Sequence, residues 1–322
     1  MFKKFFSVLL ALFLLLPGQA VSAQEADSLF NRALRKEPYS VLDGRLTIRM
    51  PAGTEDAAMQ PDIMGPMSSS ARETRLMSEN IGGAELVVYA QEMFCYSTGD
   101  FVKDLEIIFS SNWEDAEFGY ELACSEPGFS AAKLKIPATD PQGEAILVSA
   151  VVVRTADNGL IMLSFLVTPE AYRSPDQCRA LCDRVIATLK PGERMLNTDA
   201  RRETLDAAGY QISLDKDYVV IEQFGVDFLV YYIDKVTPLG TSAPSMGIYL
   251  GFHPSTDGKP YGTQSKGAIL GKSVVWSASG NRVETLTTLK GGNMMHIFIT
   301  ADDQADRAAL KKMAQSLQVK TK

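Results

Sequence analysis

The sequence predicts an α+β fold with two tandem domains, each an antiparallel β-sheet with a C-terminal helix packed on it. Three observations support this prediction. Apolar runs rich in β-branched residues alternate with turn signals. An amphipathic helix pattern closes each half of the chain. Finally, the two halves end in the same order of elements, which is typical of an internal repeat.

The first half ends in a hairpin followed by a helix. Residues 145–155 (AILVSAVVVRT) form a strand pattern, Asn158-Gly159 is a hairpin turn signal, and residues 160–168 form the return strand. Ser174 is the expected N-cap of the helix, with Gln177 completing a capping box. The apolar positions then recur at helical spacing: Cys178, Leu181, Cys182, Val185, Ile186 and Leu189.

The second half repeats this order. Residues 282–289 and 294–301 are predicted as paired strands, and Asp303 is the expected N-cap of the closing helix. In the middle of the first half, residues 101–111 are predicted as a helix with Asp100 as its N-cap.

These patterns divide the chain into domains. We expect a first α+β domain over residues 24–191, a linker over residues 192–208 and a second α+β domain over residues 209–322. Within the linker, residues 201–207 are compatible with a short helix. Residues 52–70, rich in Met and Pro, are predicted as a long loop.

The first 23 residues predict a cleavable signal peptide. Lys3 and Lys4 precede the apolar residues 5–16, and the small residues of Val21-Ser22-Ala23 suit a cleavage site. The apolar run is shorter than the roughly 20 residues that span a bilayer, and an uncleaved anchor is the alternative. We therefore expect a mature chain from Gln24 that is exported to the periplasm or cell envelope and is soluble, without a transmembrane segment.

Composition argues against nucleic acid as a partner. The chain carries a formal charge of −7, and removal of Lys3 and Lys4 makes the mature part more acidic by two. Nucleic-acid binding requires clustered Lys and Arg to neutralise phosphates, and the sequence has no basic run.

The four cysteines, Cys95, Cys124, Cys178 and Cys182, lie in the first half, and an exported protein meets oxidising conditions. Three full pairings are possible. We favour a disulfide between Cys95 and Cys124. A Cys178–Cys182 pair is disfavoured, because Cβ atoms four residues apart on a helix are about 5–6 Å apart and a disulfide needs about 3.8 Å. A zinc site lacks the C-x-x-C spacing of structural zinc, and no metal site is predicted.

No catalytic constellation is visible. The chain has two histidines, His253 and His296, and a Ser-His-Asp triad would need one of them. Residues 253–257 (HPSTD) hold the three residue types in a row, which is not the geometry of a triad. Residues 267–273 (GAILGKS) are one residue short of a phosphate-binding P-loop and continue as a strand. No catalytic or cofactor-binding residue is predicted, and no cofactor is implied.

The second half resembles the PsbP-like fold through residues 267–276 (GAILGKSVVW), residues 293–300 (NMMHIFIT) and the closing helix that ends in Ser316-Leu317. This fold occurs in an oxygen-evolving-complex subunit family, a Ran-binding nuclear-transport family and periplasmic DcrB-type proteins. The resemblance implies tandem antiparallel sheets flanked by helices, and proteins that act mostly in binding or assembly rather than catalysis. It transfers no functional residue to this chain.

Aromatic residues cluster on neighbouring predicted strands of the second half: Phe224, Phe228, Tyr231, Tyr232 and Tyr249. Their period-2 spacing places Phe228 and Tyr232 on one face and Tyr231 on the other. Strand propensity alone is one explanation, and an aromatic contact surface is the other.

The sequence thus predicts a non-enzymatic exported binding or assembly protein whose partner is a protein or a small envelope ligand. An envelope hydrolase without a recognisable motif is the alternative. A third possibility is a structural role in which the loop over residues 52–70 becomes ordered on a partner.

Overall fold

The computed structural model describes residues 29–56, 73–138, 145–225, 227–254 and 261–320. The predicted signal peptide and most of the loop over residues 52–70 lie outside these ranges. The chain forms two compact units. Of the described residues, the first unit contains 29–56, 73–138, 145–196 and 238–240, and the second contains 197–225, 227–237, 241–254 and 261–320.

The elements along residues 29–196 are the following. The strands are β1 (Tyr39–Val41), β2 (Leu46–Ile48), β3 (Glu55–Asp56), β4 (Glu73–Met77), β5 (Leu86–Tyr96), β6 (Tyr120–Glu126), β7 (Phe129–Leu134), β8 (Ile146–Arg154), β9 (Gly159–Val167) and β10 (Lys190–Pro191). The helices are α1 (Phe101–Asn112), α2 (Pro169–Tyr172) and α3 (Pro175–Ile186).

The elements that follow are mainly strands. They are β11 (Arg201–Leu205), β12 (Tyr210–Leu214), β13 (Tyr218–Phe224), β14 (Phe228–Lys235), β15 (Thr237–Pro238), β16 (Ser245–Gly251), β17 (Thr263–Ile269), β18 (Lys272–Ser279), β19 (Arg282–Thr288), β20 (Met294–Thr300) and β21 (Gln318–Val319). Helix α4 (Gln304–Gln315) precedes the last strand, and 3₁₀ turns occupy Asp206–Ala208 and Lys290–Gly292.

The two units share one strand order. The main sheet of the first unit runs β3-β4-β5-β9-β8-β7-β6, and that of the second runs β13-β14-β16-β20-β19-β18-β17. Each unit also has a small sheet, β1-β2-β10 in the first and β11-β12-β21 in the second. In both small sheets, the short strand after the last helix pairs with the second strand of the opening hairpin. The chain therefore follows the same path twice.

The predicted α+β class, with a helix packed on each sheet, is wrong. Strands make up 48 % and helices 19 % of the described residues, in four antiparallel sheets, so the fold is mostly β. The reason is the size of the surface to be buried. Helix α4 has 12 residues and is about 18 Å long and 10 Å wide, whereas seven strands span about 30 Å.

In each unit, the small sheet covers part of the apolar face of the main sheet that the helix does not reach. In the first unit, Leu46 and Ile48 of the small sheet join the same apolar core as Leu181 of α3. In the second unit, Leu205 and Ile212 of the small sheet share a core with the main sheet. The core of each unit therefore combines a main sheet, a helix and a small sheet, and the first unit has a further core between its main sheet and α1. The helix patterns in the sequence do not reveal the contribution of the small sheets.

Several local predictions are confirmed. The hairpin around Asn158-Gly159 forms, with Asn158 at a φ of 66°. Asp100 accepts hydrogen bonds from the Val102 and Lys103 amides and caps α1, and Asp303 caps α4 in the same way.

One local prediction holds in part and one is wrong. Ser174 is the N-cap residue of α3, as predicted, but its side chain makes no capping hydrogen bond, so its half of the predicted capping box is absent. Residues 201–207 are not a helix, because Arg201–Leu205 pairs as a strand with Tyr210–Leu214. That pairing buries Leu205 and Ile212 in the apolar core. The free energy gained by burying them outweighs the local preference for a helix.

A buried ionic cluster connects the small and main sheets of the first unit. The Arg45 guanidinium, 5 % exposed, donates from Nε to Glu92 Oε2 over 2.9 Å and also forms an ion pair with Asp157. Asp157 in turn accepts a hydrogen bond from the Leu196 amide over 2.6 Å. Burial alone would raise the pKa of Asp157, but hydrogen bonds from Arg45, Thr155 and Leu196 hold it below its usual value.

No helix among the described residues combines the length and the apolar character needed to cross a bilayer.

We predict that Arg45→Met lowers the free energy of unfolding of the first unit by about 3–5 kcal/mol, because it removes the buried cation that pairs with both Glu92 and Asp157. The chain has two tryptophans, and Trp113 lies in the first unit. Urea unfolding followed by Trp113 fluorescence in a Trp276→Phe background therefore reports on that unit.

Arg179→Met is the matched control. Arg179 pairs with Asp176 on the exposed surface of α3, and loss of such a pair changes stability by less than about 1 kcal/mol. Equal losses for the Arg45 and Arg179 variants would contradict the structural importance of the buried cluster.

Candidate functional site

The main sheet of the second unit has one apolar face and one aromatic face. Tyr231 is 2 % exposed and belongs to the core with α4. Phe228 and Tyr232, its neighbours on β14, are half-buried on the opposite face. The predicted separation of these aromatics by period-2 alternation is therefore confirmed.

Four rings on that opposite face form what we call the aromatic platform: Phe228, Tyr232, Tyr249 and Phe298. They come from three adjacent strands, β14, β16 and β20. The register brings them together: Tyr232 and Phe298 both lie opposite Gly247, while Phe228 lies opposite Gly251, two residues from Tyr249.

Two glycines allow the rings to lie flat against the sheet. A Cβ on Gly247 would lie 2.0 Å from the Phe298 ring, and a Cβ on Gly251 would lie 2.5 Å from the Tyr249 hydroxyl. Both side chains therefore fold over a position where any larger residue would push them outward. Glycine in a strand interior marks such a close approach.

The rings pack against one another in pairs. Phe228 and Tyr249 are stacked, with centroids 5.7 Å apart and an interplanar angle of 26°. Tyr232 meets Phe298 edge to face, with centroids 6.3 Å apart. Such pairs contribute about 0.5–1.5 kcal/mol each beyond their burial, so the platform is held in place by its own contacts.

A histidine, a glutamate and an arginine border the platform. His296 Nε2 lies 3.3 Å from Glu284 Oε2, and Arg282 Nε donates to the same oxygen over 2.8 Å. The His296 ring lies 5.4 Å from that of Phe298, and the Arg282 guanidinium lies 5.8 Å from it. At this border, the buried pair of His296 and Glu284 lies beside Arg282, whose side chain is 46 % exposed.

Burial decides the protonation of this border. It lowers the pKa of His296 below its usual value, and attraction to Glu284 does not offset the effect. For Glu284, burial alone would raise the pKa, but hydrogen bonds from Tyr261 and Arg282 hold it below its usual value. At neutral pH we therefore expect a neutral imidazole beside an ionised carboxylate.

The geometry of His296 favours positioning over proton transfer. A general base must come within hydrogen-bond reach of a substrate, and His296 is 1 % exposed. The arrangement supports contact with a partner instead, because it presents flat aromatic rings beside an exposed cation.

Within the described residues, no catalytic group forms around the other histidine. His253 is exposed, and its backbone amide donates to the Tyr249 hydroxyl over 3.0 Å. Residues 255–257, which completed the Ser-His-Asp composition, lie outside the described residues.

The segment that resembled a P-loop is a hairpin. Strands β17 and β18 pair directly, and Leu270 and Gly271 form their turn with φ values of 50° and 74°. A Cβ on Gly267 would lie 2.6 Å from Trp276 Nε1. The segment is therefore not a P-loop, and the expected single strand is divided by a turn at Leu270-Gly271.

The structure does not bring Cys95 and Cys124 together. Both thiols are free, and Cys178 and Cys182 are free as well. Cys95 is on β5 and Cys124 on β6, with β9, β8 and β7 between them, which corresponds to about 19 Å. A disulfide needs Cα atoms within about 7 Å. Burial raises the pKa of Cys95 to about 12 and that of Cys178 to about 11.

Metal ligands do not cluster in the part of the chain that the structure describes: no group of three or more His, Cys, Asp or Glu side chains is arranged to hold an ion. The acidic pair Asp302-Asp303 has local roles, since Asp302 accepts from Asn281 over 3.0 Å and Asp303 caps α4.

The spacing of aromatics in the sequence groups Phe228, Tyr232 and Tyr249 but does not show that Phe298 joins them. Phe298 lies on β20, and its position beside β16 depends on the order of the strands in the sheet. The isolated glycines Gly247 and Gly251 are the feature of the sequence that indicates a close approach to this strand.

No protein-family model matches the chain, and no curated protein matches it.

We predict that Gly247→Ala lowers the free energy of unfolding of the second unit by about 1–3 kcal/mol, because the new methyl group overlaps the Phe298 ring. Urea unfolding followed by Trp276 fluorescence in a Trp113→Phe background measures it. The same substitution in a Phe298→Ala background should have little effect. An equal loss in both backgrounds would show that the ring does not cover the glycine.

We predict that protein recovered from an oxidising compartment has four reactive thiols in denaturant without reductant, and that Cys124 reacts first in the native protein. Cys124 is partly exposed, whereas the other three cysteines are buried. Mass spectrometry after maleimide labelling counts the adducts, and Cys124→Ser should remove the fast one. Two adducts in denaturant would instead indicate a disulfide.

Proposed function

We propose that the chain is a non-enzymatic binding or assembly protein, exported to the periplasm or cell envelope, that contacts its partner through the aromatic platform. The observation that carries this proposal is the packing of Tyr249 and Phe298 over Gly251 and Gly247. These rings are fixed before any partner arrives, so little side-chain entropy is lost on binding.

The chemistry of the platform suits a macromolecular partner. Tyr and Phe are enriched in the cores of protein interfaces, and Arg is enriched with them. The platform combines four such rings with Arg282, whose side chain is half-exposed. A protein surface with an apolar patch bordered by an acidic group would match it, and a small envelope ligand with an apolar face is the narrower form of the proposal.

The resemblance of the second half to the PsbP-like fold supports the same proposal, because proteins of that fold act mostly in binding and assembly. Export rests on the signal-peptide pattern of residues 1–23.

The hydrolase alternative finds less support in the described residues. It needs a histidine that reaches a substrate, and His296 is 1 % exposed. His253 is exposed, and its hydrogen bond to the Tyr249 hydroxyl comes from its backbone amide and not from its ring.

The test is a cross-linked pull-down of the tagged mature protein from its native envelope, read by mass spectrometry. We expect a stoichiometric partner with the wild type and at least a tenfold lower yield with the double variant Phe228→Ser/Tyr232→Ser, because removal of central interface aromatics costs about 2 kcal/mol or more. Circular dichroism confirms that the variant is folded.

Phe224→Ser is the matched control. Phe224 is an aromatic residue of the same sheet, 41 % exposed, and its register opposite Leu229 places it on the face away from Phe228. Partner recovery should be unchanged with this variant. Equal recovery with the platform variant would refute the platform as the contact surface, and no partner across several cross-linkers would refute the protein form of the proposal.

A further inference from the structure

The last strand in the order of the second unit's main sheet, β17, is paired on one side. It pairs with β18 in an unbroken antiparallel register from Thr263 to Ile269. On its other side, no strand of the described residues pairs with it. An edge strand presents backbone N–H and C=O groups that can pair with an extended segment of another chain.

The turn of this hairpin fixes which backbone groups face outward. Leu270 and Gly271 form a two-residue turn with positive φ values, so the closing pair of Ile269 and Lys272 is hydrogen-bonded. Hydrogen-bonded and non-hydrogen-bonded pairs alternate along an antiparallel ladder. Every second residue before Ile269 therefore directs its amide and carbonyl away from β18. These outward residues are Gln264, Lys266 and Ala268.

A hydrogen bond on the far side of β18 agrees with this alternation. The Val275 carbonyl, opposite Lys266, accepts from the Thr285 hydroxyl on β19 over 2.8 Å. Val275 therefore directs its carbonyl away from β17, as a non-hydrogen-bonded pair with Lys266 requires. Gln264, Lys266 and Ala268 are exposed, and no described residue beyond β18 bonds to their backbone groups.

The first unit interrupts the corresponding edge. Its strand β6 has the same place in the strand order, but its register with β7 shifts between Leu122 and Cys124. Such a bulge bends an edge strand and breaks its row of outward groups. Strand β17 has neither a bulge nor a proline, so of these two strands it is the one with a regular edge.

The β17–β18 hairpin is basic in an acidic chain. Residues 261–279 contain Lys266 and Lys272 but no Asp or Glu, although the chain has a net charge of −7. Lys272 Nζ donates to a backbone carbonyl of β19 over 2.6 Å, and Lys311 Nζ of α4 donates to Ser265 Oγ over 2.8 Å. Lys266 is exposed and forms no ion pair with a described residue.

The charged groups beyond the hairpin have partners of their own. Glu284 on β19 lies 2.8 Å from Arg282, and Asp302 accepts from Asn281 over 3.0 Å. Arg307 on α4 donates to a carbonyl of the turn after β18 over 2.6 Å. Lys266 is therefore the charge that a strand added to β17 would meet.

We propose that β17 pairs with an extended segment of a partner protein that carries acidic residues at alternate positions. The segment bonds to the backbone of Gln264, Lys266 and Ala268, and one of its carboxylates lies opposite Lys266, where opposite charges stabilise a cross-strand pair. A second β17 is excluded by charge, since full overlap of two such edges sets Lys266 opposite its own copy. The lysine thus rejects a like edge and selects an acidic one.

This proposal does not rest on the aromatic platform. Strands β18 and β19 separate β17 from the platform strand β20, a distance of about 14 Å. The variant Phe228→Ser/Tyr232→Ser should therefore leave binding at β17 unchanged, whatever becomes of its partner in the pull-down.

The probe is the peptide SVEVEVS, acetylated and amidated, which places both glutamates on one face of a strand. Amide hydrogen exchange of the ¹⁵N-labelled mature protein is followed by NMR. We expect the peptide to slow exchange at least about tenfold at Gln264, Lys266 and Ala268, and less at the amides between them, which are already bonded to β18. Uniform protection along β17, or none at about 5 mM peptide, would overturn the proposal.

A basic peptide, SVKVKVS, tests the choice of charge. It should bind at least about tenfold more weakly than the acidic peptide, and equal binding would refute the selection of acidic segments. Protection of the same three amides by raised protein concentration without peptide would show that a second copy occupies the edge, which also contradicts the proposal.

Lys266→Glu should reverse the order of the two peptides. Lys103→Glu is the matched control, because Lys103 is an exposed lysine of α1 in the first unit and the change in net charge is the same. The order should be unchanged in this control. An unchanged order in the Lys266 variant would contradict a carboxylate opposite that residue.

Ala268→Pro tests the backbone pairing, because it removes one outward amide without breaking a bond to β18. It should abolish the protection at Gln264 and Lys266, whereas Ala268→Ser, which keeps the amide, should retain it. Circular dichroism confirms that both variants are folded. Equal protection in the two variants would refute addition of a strand at this edge.

Discussion

The pairing of each unit's last short strand with its opening hairpin is the constraint on which both units depend. In the first unit this pairing continues in a hydrogen bond from the Gly192 amide to the Arg45 carbonyl over 2.9 Å. The Arg45 side chain then reaches Glu92 on the main sheet. In the second unit the Lys320 amide donates to the Gly209 carbonyl over 2.9 Å. The ends of each unit thus hold a small sheet over the core of a large one.

In the second unit, the small sheet and α4 pack on one face of the main sheet, and the aromatic platform lies on the other face. In the first unit both faces of the main sheet are covered, one by α3 and the small sheet and the other by α1. A cleft of about 700 Å³ opens at the end of that sheet, next to the register shift at Ser149.

Local signals predicted the local structure well. The Asn158-Gly159 turn, the Asp100 and Asp303 caps and the face of Tyr231 all follow from residues within a few positions of one another. The mostly-β class was missed because burial between sheets is non-local. Residues 201–205 became a strand only because β12 lies beside them.

The amino-acid sequence therefore set the turns, the caps, the buried faces and the two-fold recurrence of elements, since each depends on short-range backbone and side-chain preferences. Strand order was set by tertiary structure. It placed Phe298 beside Tyr232 across Gly247, separated Cys95 from Cys124 by three strands, and set β17 at the edge of its sheet. These contacts join residues far apart in the chain, and only the packing of whole sheets determines which of them meet.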